Sequence, residues 1–217
     1  EPKQLKGIVD ELLENASIPV LLKPNAGLPM EKDGKAVYST LPDEFASDLR
    51  EACQKGVSIL GGCCGTNPEY IANIYEATKD LKPVAIEPKN ITCVSSYTHA
   101  VKFEERPILI GERINPTGKK RFKQALVEND IDYILQEGVN QQDAGVEILD
   151  VNVGLPEIDE VAMLKTAVCE LQAIINLPLQ IDTASATAME AALRRYNGKA
   201  MINSVNGKES SMREIFP

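Results

Sequence analysis

Short apolar runs alternate with amphipathic stretches along this chain, and a chain patterned that way has few folds open to it. Residues 19–23, 57–60, 108–111, 146–151, 178–183 and 199–205 read as strands. Residues 42–55, 67–79, 119–128, 131–144, 157–175 and 185–196 read as helices. A further helix is expected near the start, where Leu5, Ile8, Val9, Leu12 and Leu13 fall on one face. Strand-then-helix repetition supplies the long crossovers that parallel strands need, so the alternation points to a parallel α/β sheet or barrel. The strands are almost continuously apolar, as expected when both faces of a sheet are buried. The rhythm breaks at 81–106, where Pro83, Pro88 and Pro107 punctuate a stretch containing Cys93, Ser95, Ser96, Tyr97 and the single histidine, His99. This stretch reads as an interdomain connection that could be partly paired as strands, and a lone histidine there is ordinarily structural or exposed.

Composition narrows the function classes. At 217 residues and 43% apolar, the chain can build a sizeable core. It carries 32 acidic and 23 basic residues, a formal charge of -9, and no segment concentrates Lys and Arg. Nucleic acid is not an expected partner, because phosphate binding needs a basic footprint. No apolar run reaches membrane-spanning length and no signal-peptide pattern opens the sequence, so no membrane association is expected. Five cysteines without a secretion signal argue against a disulfide framework and for a reduced, cytoplasmic protein. Glu1-Pro2-Lys3-Gln4 leads straight into a helical pattern, and Arg213-Glu214-Ile215-Phe216-Pro217 stops just after a helix start. Both ends read as cuts through a larger polypeptide.

Chemistry-bearing residues gather where the expected strands end. Ile108-Leu109-Ile110 runs into Gly111-Glu112-Arg113-Ile114-Asn115, and Glu147-Ile148-Leu149 into Asp150-Val151-Asn152. Leu179-Gln180-Ile181 runs into Asp182-Thr183, and Met201-Ile202 into Asn203-Ser204-Val205-Asn206-Gly207. In a (βα) barrel these ends form the mouth. A ring of Asp and Asn there suits a planar heterocycle, since a carboxylate accepts two parallel hydrogen bonds from a ring N–H and an adjacent amino group. The alternative is that these residues cap the following helices, although Thr183, Ser185 and Ser204 are better cap candidates.

A second cluster is Gly61-Gly62-Cys63-Cys64-Gly65-Thr66, directly after an apolar run. Neighbouring residues of a regular strand point to opposite faces, so the flanking glycines are needed to turn both thiols one way. That arrangement suits a thiolate-bound metal, zinc foremost. The alternative is a buried pair acting as small hydrophobes.

Taken together these residues resemble a known family. The Gly61–Thr66 run, preceded by Pro24-Asn25-Ala26-Gly27-Leu28-Pro29, is similar to the end of the homocysteine-binding barrel of zinc-dependent homocysteine methyltransferases. Gly111-Glu112-Arg113-Ile114-Asn115, Asp150-Val151-Asn152, Gln180-Ile181-Asp182-Thr183 and Ile202-Asn203-Ser204-Val205-Asn206-Gly207 are similar to the pterin-binding barrel of methyltetrahydrofolate methyltransferases. In this order they resemble the cobalamin-dependent methionine synthase family over nearly the whole chain. The resemblance implies two incomplete TIM-barrel segments joined by a linker: 1–82 from the homocysteine barrel, 83–106 the connection, and 107–217 from the pterin barrel.

The resemblance also implies site residues. Cys63 and Cys64 match two of three zinc ligands, the third belonging to an earlier strand that would precede Glu1; Cys53 and Cys93 are not convincing replacements, and weak or absent zinc binding is expected. Asp182 and Asn203 match the pterin-recognition pair, with Asn115, Asp150 and Asn152 lining the same mouth. No catalytic residue is assigned, because the asparagine used near N5 is expected beyond Pro217. The implied reaction passes the methyl group of 5-methyltetrahydrofolate through methylcobalamin, held by a separate cobalamin-binding module, to zinc-bound homocysteine. Two positions depart from the family pattern: Ala184 where serine is common, and Lys208 where glutamate is common. A folate-binding module without catalysis, or a dihydropteroate-synthase-like transferase, are the competing readings, and the upstream cysteine motif argues against the latter. The isolated chain is expected to be inactive, and open sheet edges to favour its self-association.

Overall fold

Pro42 can start a helix because its missing N–H is one the first turn leaves unpaired anyway. It opens a helix in the first of two compact units, Glu1–Asn90 and Ile91–Pro217. A computed structural model describes residues 1–104 and 106–216. Glu105, inside the expected connection, and Pro217, the last residue of the expected second segment, lie outside the described residues.

The first unit runs from a 3-10 turn (Pro2–Leu5) into α1 (Lys6–Asn15), β1 (Leu21–Leu22), β2 (Met30–Lys32), β3 (Lys35–Val37), α2 (Pro42–Lys55), β4 (Ile59–Leu60) and α3 (Pro68–Thr78). β1 and β4 pair in parallel, Leu21 with Ile59 and Leu22 with Leu60, while β2 and β3 form an antiparallel hairpin absent from the sequence-based expectation. Phe45, Ala46, Leu49 and Ala52 recur at helical spacing and give α2 its buried face. Phe45 meets Tyr70 of α3 edge-on, 5.4 Å between ring centres, and the Tyr70 hydroxyl donates to the Thr40 carbonyl at 2.7 Å. The start of α3 is fixed by Asn67, whose side-chain oxygen accepts from the backbone N–H of Glu69 (2.9 Å) and Tyr70 (3.4 Å). Asn67→Ala should therefore cost about 1 kcal/mol of stability, read as a lower urea midpoint with unchanged m.

The second unit begins with a hairpin, β5 (Cys93–Ser95) and β6 (Ala100–Lys102), formed within the stretch expected as a connection. It continues through β7 (Ile110–Ile114), α4 (Lys120–Glu128), α5 (Ile131–Asp143), β8 (Ile148–Val151), α6 (Glu160–Ile174), β9 (Leu179–Asp182), α7 (Ala186–Leu193), β10 (Met201–Asn203) and α8 (Glu209–Ile215). β7 to β10 form one parallel sheet in the order β10-β9-β8-β7. This is the successive βα winding expected of a barrel wall, here as a four-stranded open sheet.

The period of two along the strands sorts the side chains. Leu149, Val151, Val153, Leu179 and Ile181 join Leu164, Val168 and Leu171 of α6 and Met189 and Ala192 of α7 in one core. Asp150 and Gln180 alternate with those core residues and are nonetheless buried. Both faces of β8 are thus buried as expected, but the face opposite this core carries the polar Asp150 and Gln180 alongside Ile148. Strand β7 reaches further than expected, with Glu112 to Ile114 also in strand, whereas β8 ends at Val151 as expected and holds Asp150 within it. The pairing runs from Ile110 beside Ile148 to Ile114 beside Val151, with an irregularity between Gly111 and Ile114.

Candidate functional site

Parallel register places the polar strand ends side by side. Asn203 sits opposite Asp182, and Asp150 opposite Gln180. The Thr183 N–H donates to the Asn203 carbonyl at 2.7 Å, extending the β9–β10 pairing past the strand ends. Asn152 follows β8 directly, held by its own N–H to the Ile114 carbonyl (2.9 Å), and its side-chain nitrogen donates to Asp182 Oδ2 at 2.9 Å. Asp150, Asn152, Asp182 and Asn203 are therefore neighbours at one edge of one sheet.

These residues are not helix caps. The capping side chains in this unit are Asp130, Asp159 and Ser185, accepting from Tyr133, Ala162 and Ala188 respectively. Ser185 relieves Asp182 of that role at α7. Asn115, the fifth candidate, is buried and its Oδ1 accepts from the Thr117 N–H at 2.9 Å, so its oxygen shapes the loop after β7.

Two further side-chain hydrogen bonds lie at these strand ends. The Gln180 side-chain amide donates to Asp150 Oδ1, and the Thr183 hydroxyl donates to Glu160 Oε1 in the first turn of α6. Gln180 carried a signal in the sequence, being an amide between apolar residues of a strand; Glu160 carried none, because only the tertiary fold brings it to Thr183. Burial pushes the Asp150 carboxyl up to about 6, with the Asp182 and Glu112 carboxylates adding to the rise and the Gln180 hydrogen bond and Lys119 opposing it. Chemically, this edge offers carboxylate acceptors at Asp182 and an amide at Asn203 to a polar planar ligand, beside a carboxyl that changes charge near pH 6.

In the first unit, the parallel pairing of β1 with β4 sets the loops after them together. The Cys63 N–H donates to the Pro24 carbonyl (3.0 Å), the Cys64 N–H to Asn25 Oδ1 (3.2 Å), and the Ala26 N–H to the Cys64 carbonyl (2.9 Å). The Thr66 hydroxyl closes the turn on the Cys63 carbonyl at 2.7 Å. Gly65 has φ +83, and a Cβ there would fall 2.5 Å from the ring of Tyr38 on the edge of the β2–β3 hairpin. Cys63 and Cys64 are exposed free thiols, which removes the reading of a buried hydrophobic pair. Their donor chemistry suits zinc, but a catalytic zinc takes three protein ligands. Among the described residues no group of three or more His, Cys, Asp or Glu converges, so these alone do not complete such a site. His99 lies in the β5–β6 turn, its ring Nδ1 3.0 Å from the Thr98 hydroxyl. Among the described residues no helix is long and apolar enough to cross a membrane.

Comparison with known proteins matches the stretches of chain that carry the two clusters. Residues 1–78 fit the family model of homocysteine S-methyltransferase, and residues 111–216 that of pterin binding enzymes. The chain is 34% identical over 212 residues to a methionine synthase of Mycobacterium tuberculosis (strain ATCC 25618 / H37Rv), covering 94% of this chain and 17% of that relative. It is 32% identical over 217 residues to a methionine synthase of Mycobacterium leprae (strain TN), covering 94% of this chain and 18% of that relative. The chain thus spans less than a fifth of the length of these curated relatives. With a homocysteine S-methyltransferase segment followed by a pterin-binding segment, this chain is similar to methionine synthases along nearly its full length.

Proposed function

We propose that this chain supplies the methyl-donor half-site and part of the methyl-acceptor site of an enzyme that moves a methyl group from 5-methyltetrahydrofolate to homocysteine. The observation that carries this reading is the junction of Asp182, Asn203 and Asn152 at one sheet edge, free of capping duty. Asp182 accepts from the pterin ring N–H and its amino group, and Asn203, its partner across the β9–β10 register, holds another ring edge. Asp150, within β8, and Asn115, just after β7, line the same proposed mouth. Neither of these residues is assigned the proton that N5 must gain before the amine can leave.

Cys63 and Cys64 are the residues of this chain that would ligate zinc. Zinc, when bound, would lower the pKa of the homocysteine thiol and present it as the thiolate nucleophile. A cobalamin-binding module would carry the methyl group between donor and acceptor. The first-unit match to homocysteine methyltransferases favours this reading over a dihydropteroate-synthase-like transferase.

Calorimetric titration of the chain with methyltetrahydrofolate tests the donor site. Binding is expected, and Asp182→Ala should weaken it about 10- to 100-fold, the equivalent of roughly 1.5–3 kcal/mol for hydrogen bonds to a charged group. Undiminished binding by that variant would remove Asp182 from the site.

A further inference from the structure

Both polar ends of the Asn152 side chain are engaged, and their partners fix which end is which. The Gly154 N–H can only donate, so at 2.9 Å it faces Asn152 Oδ1. The Asp182 carboxylate accepts, so at 2.9 Å it faces Asn152 Nδ2. The amide cannot flip without setting donor against donor and acceptor against acceptor. Backbone pairing of Asn152 N–H to the Ile114 carbonyl at 2.9 Å fixes the base of the same residue. The result is a rigid bracket reaching across from the end of β8 to the end of β9.

From this geometry we infer that Asn152 is a positioning residue, one that orients the Asp182 carboxylate for the ligand instead of serving as a principal contact itself. The inference rests on the folate reading of the site. A carboxylate on a short side chain has free rotation about two bonds, and bidentate recognition needs its plane fixed. Each carboxylate oxygen has two acceptor sites, so Oδ2 can accept from Asn152 and still receive one ligand N–H while Oδ1 receives the other. Asp182 gets its backbone placement from pairing with Asn203 on one side and its side-chain placement from Asn152 on the other.

The test is a double-mutant cycle on methyltetrahydrofolate affinity. Asn152→Ala should weaken binding about 10-fold, the loss of one hydrogen bond to a charged group. In an Asp182→Ala background the same change should add little, because the group it orients is gone. The near-isosteric Asn152→Asp keeps side-chain shape and the acceptor for Gly154, but sets a second carboxylate against Asp182; it should lose at least as much as Asn152→Ala. That variant also keeps the test open if Asn152→Ala fails to fold, since a packing role would survive it. Unchanged affinity in the Asn152 variants, or the same 10-fold loss persisting without Asp182, overturns the positioning role and leaves the folate reading standing. No binding by the unsubstituted chain, or binding that survives Asp182→Ala, overturns the folate reading and this inference with it.

Discussion

Gly198→Ala should destabilise the second unit by about 3–5 kcal/mol, the largest loss expected from any single methyl group in the chain. Gly198 has φ +144, which side chains rarely adopt, and a Cβ there would sit 2.2 Å from the Ser95 carbonyl oxygen and 2.9 Å from its carbon. Those are backbone atoms and cannot swing aside. The same Ser95 carbonyl accepts from the Lys199 N–H at 3.0 Å and from the Tyr196 hydroxyl at 2.8 Å, while the Ser95 N–H donates to the Lys199 carbonyl at 2.8 Å. Relieving the clash means breaking that antiparallel bridge, the attachment of the β5–β6 hairpin to the chain entering β10. Strain of roughly 1–3 kcal/mol and two lost hydrogen bonds at about 1 kcal/mol each give the estimate. Urea unfolding checks it, with hydrogen exchange at the Ser95 and Lys199 amides reporting the local opening. Gly207→Ala is the control: a Cβ there meets nothing within 4 Å, and its stability should change by less than about 0.5 kcal/mol. A loss below 1 kcal/mol at Gly198 would mean that the hairpin is not anchored through this bridge.

That anchor shows why parts of the molecule were legible in the sequence and others were not. Helix α2 begins at Pro42 and ends before Gly56, and α3 begins after Asn67, because local chemistry at those residues decides the boundary. The alternation of β7 to β10 with helices was legible for the same reason, and with it the gathering of Asp182 and Asn203 at one edge. The β2–β3 hairpin was missed although Asp33-Gly34 is a strong turn pair, both with positive φ. Its arms, Met30-Glu31-Lys32 and Lys35-Ala36-Val37, lie largely exposed and lack the apolar alternation that marks a strand. The β5–β6 hairpin depends on partners about a hundred residues away, Tyr196 and Lys199, which no local pattern encodes. Likewise the strand ends carrying Asn152, Asp182 and Asn203 were legible, and these residues are neighbours in the fold, but which side chain turns to which was not. That Asn152 turns to Asp182, and that Gln180 turns to Asp150, follows from sheet register alone.

Asp150→Asn should stabilise the chain above pH 6 by up to about 3 kcal/mol and leave it nearly unchanged at pH 4. Asp150 is 3% exposed within β8, and burial lifts its carboxyl from an ordinary value of 3.8 to about 6. Between those values the folded chain holds a proton that the unfolded chain has released. Its stability contribution is therefore present at low pH and is lost as pH rises from about 4 to about 6; the roughly two-unit difference corresponds to about 3 kcal/mol. Asparagine keeps an oxygen to accept from Gln180 and never ionises, so it escapes the loss. The difference between the two proteins, measured by urea unfolding at pH 4, 5, 6 and 8, isolates this group from every other carboxylate that titrates in the range. A difference that stays flat, or opens toward low pH, would show that Asp150 is stably ionised in the fold. A growing difference with rising pH would identify an acid kept at a cost beside Asp182, which is the pattern of a group retained for its chemistry at the mouth and not for the sheet it sits in.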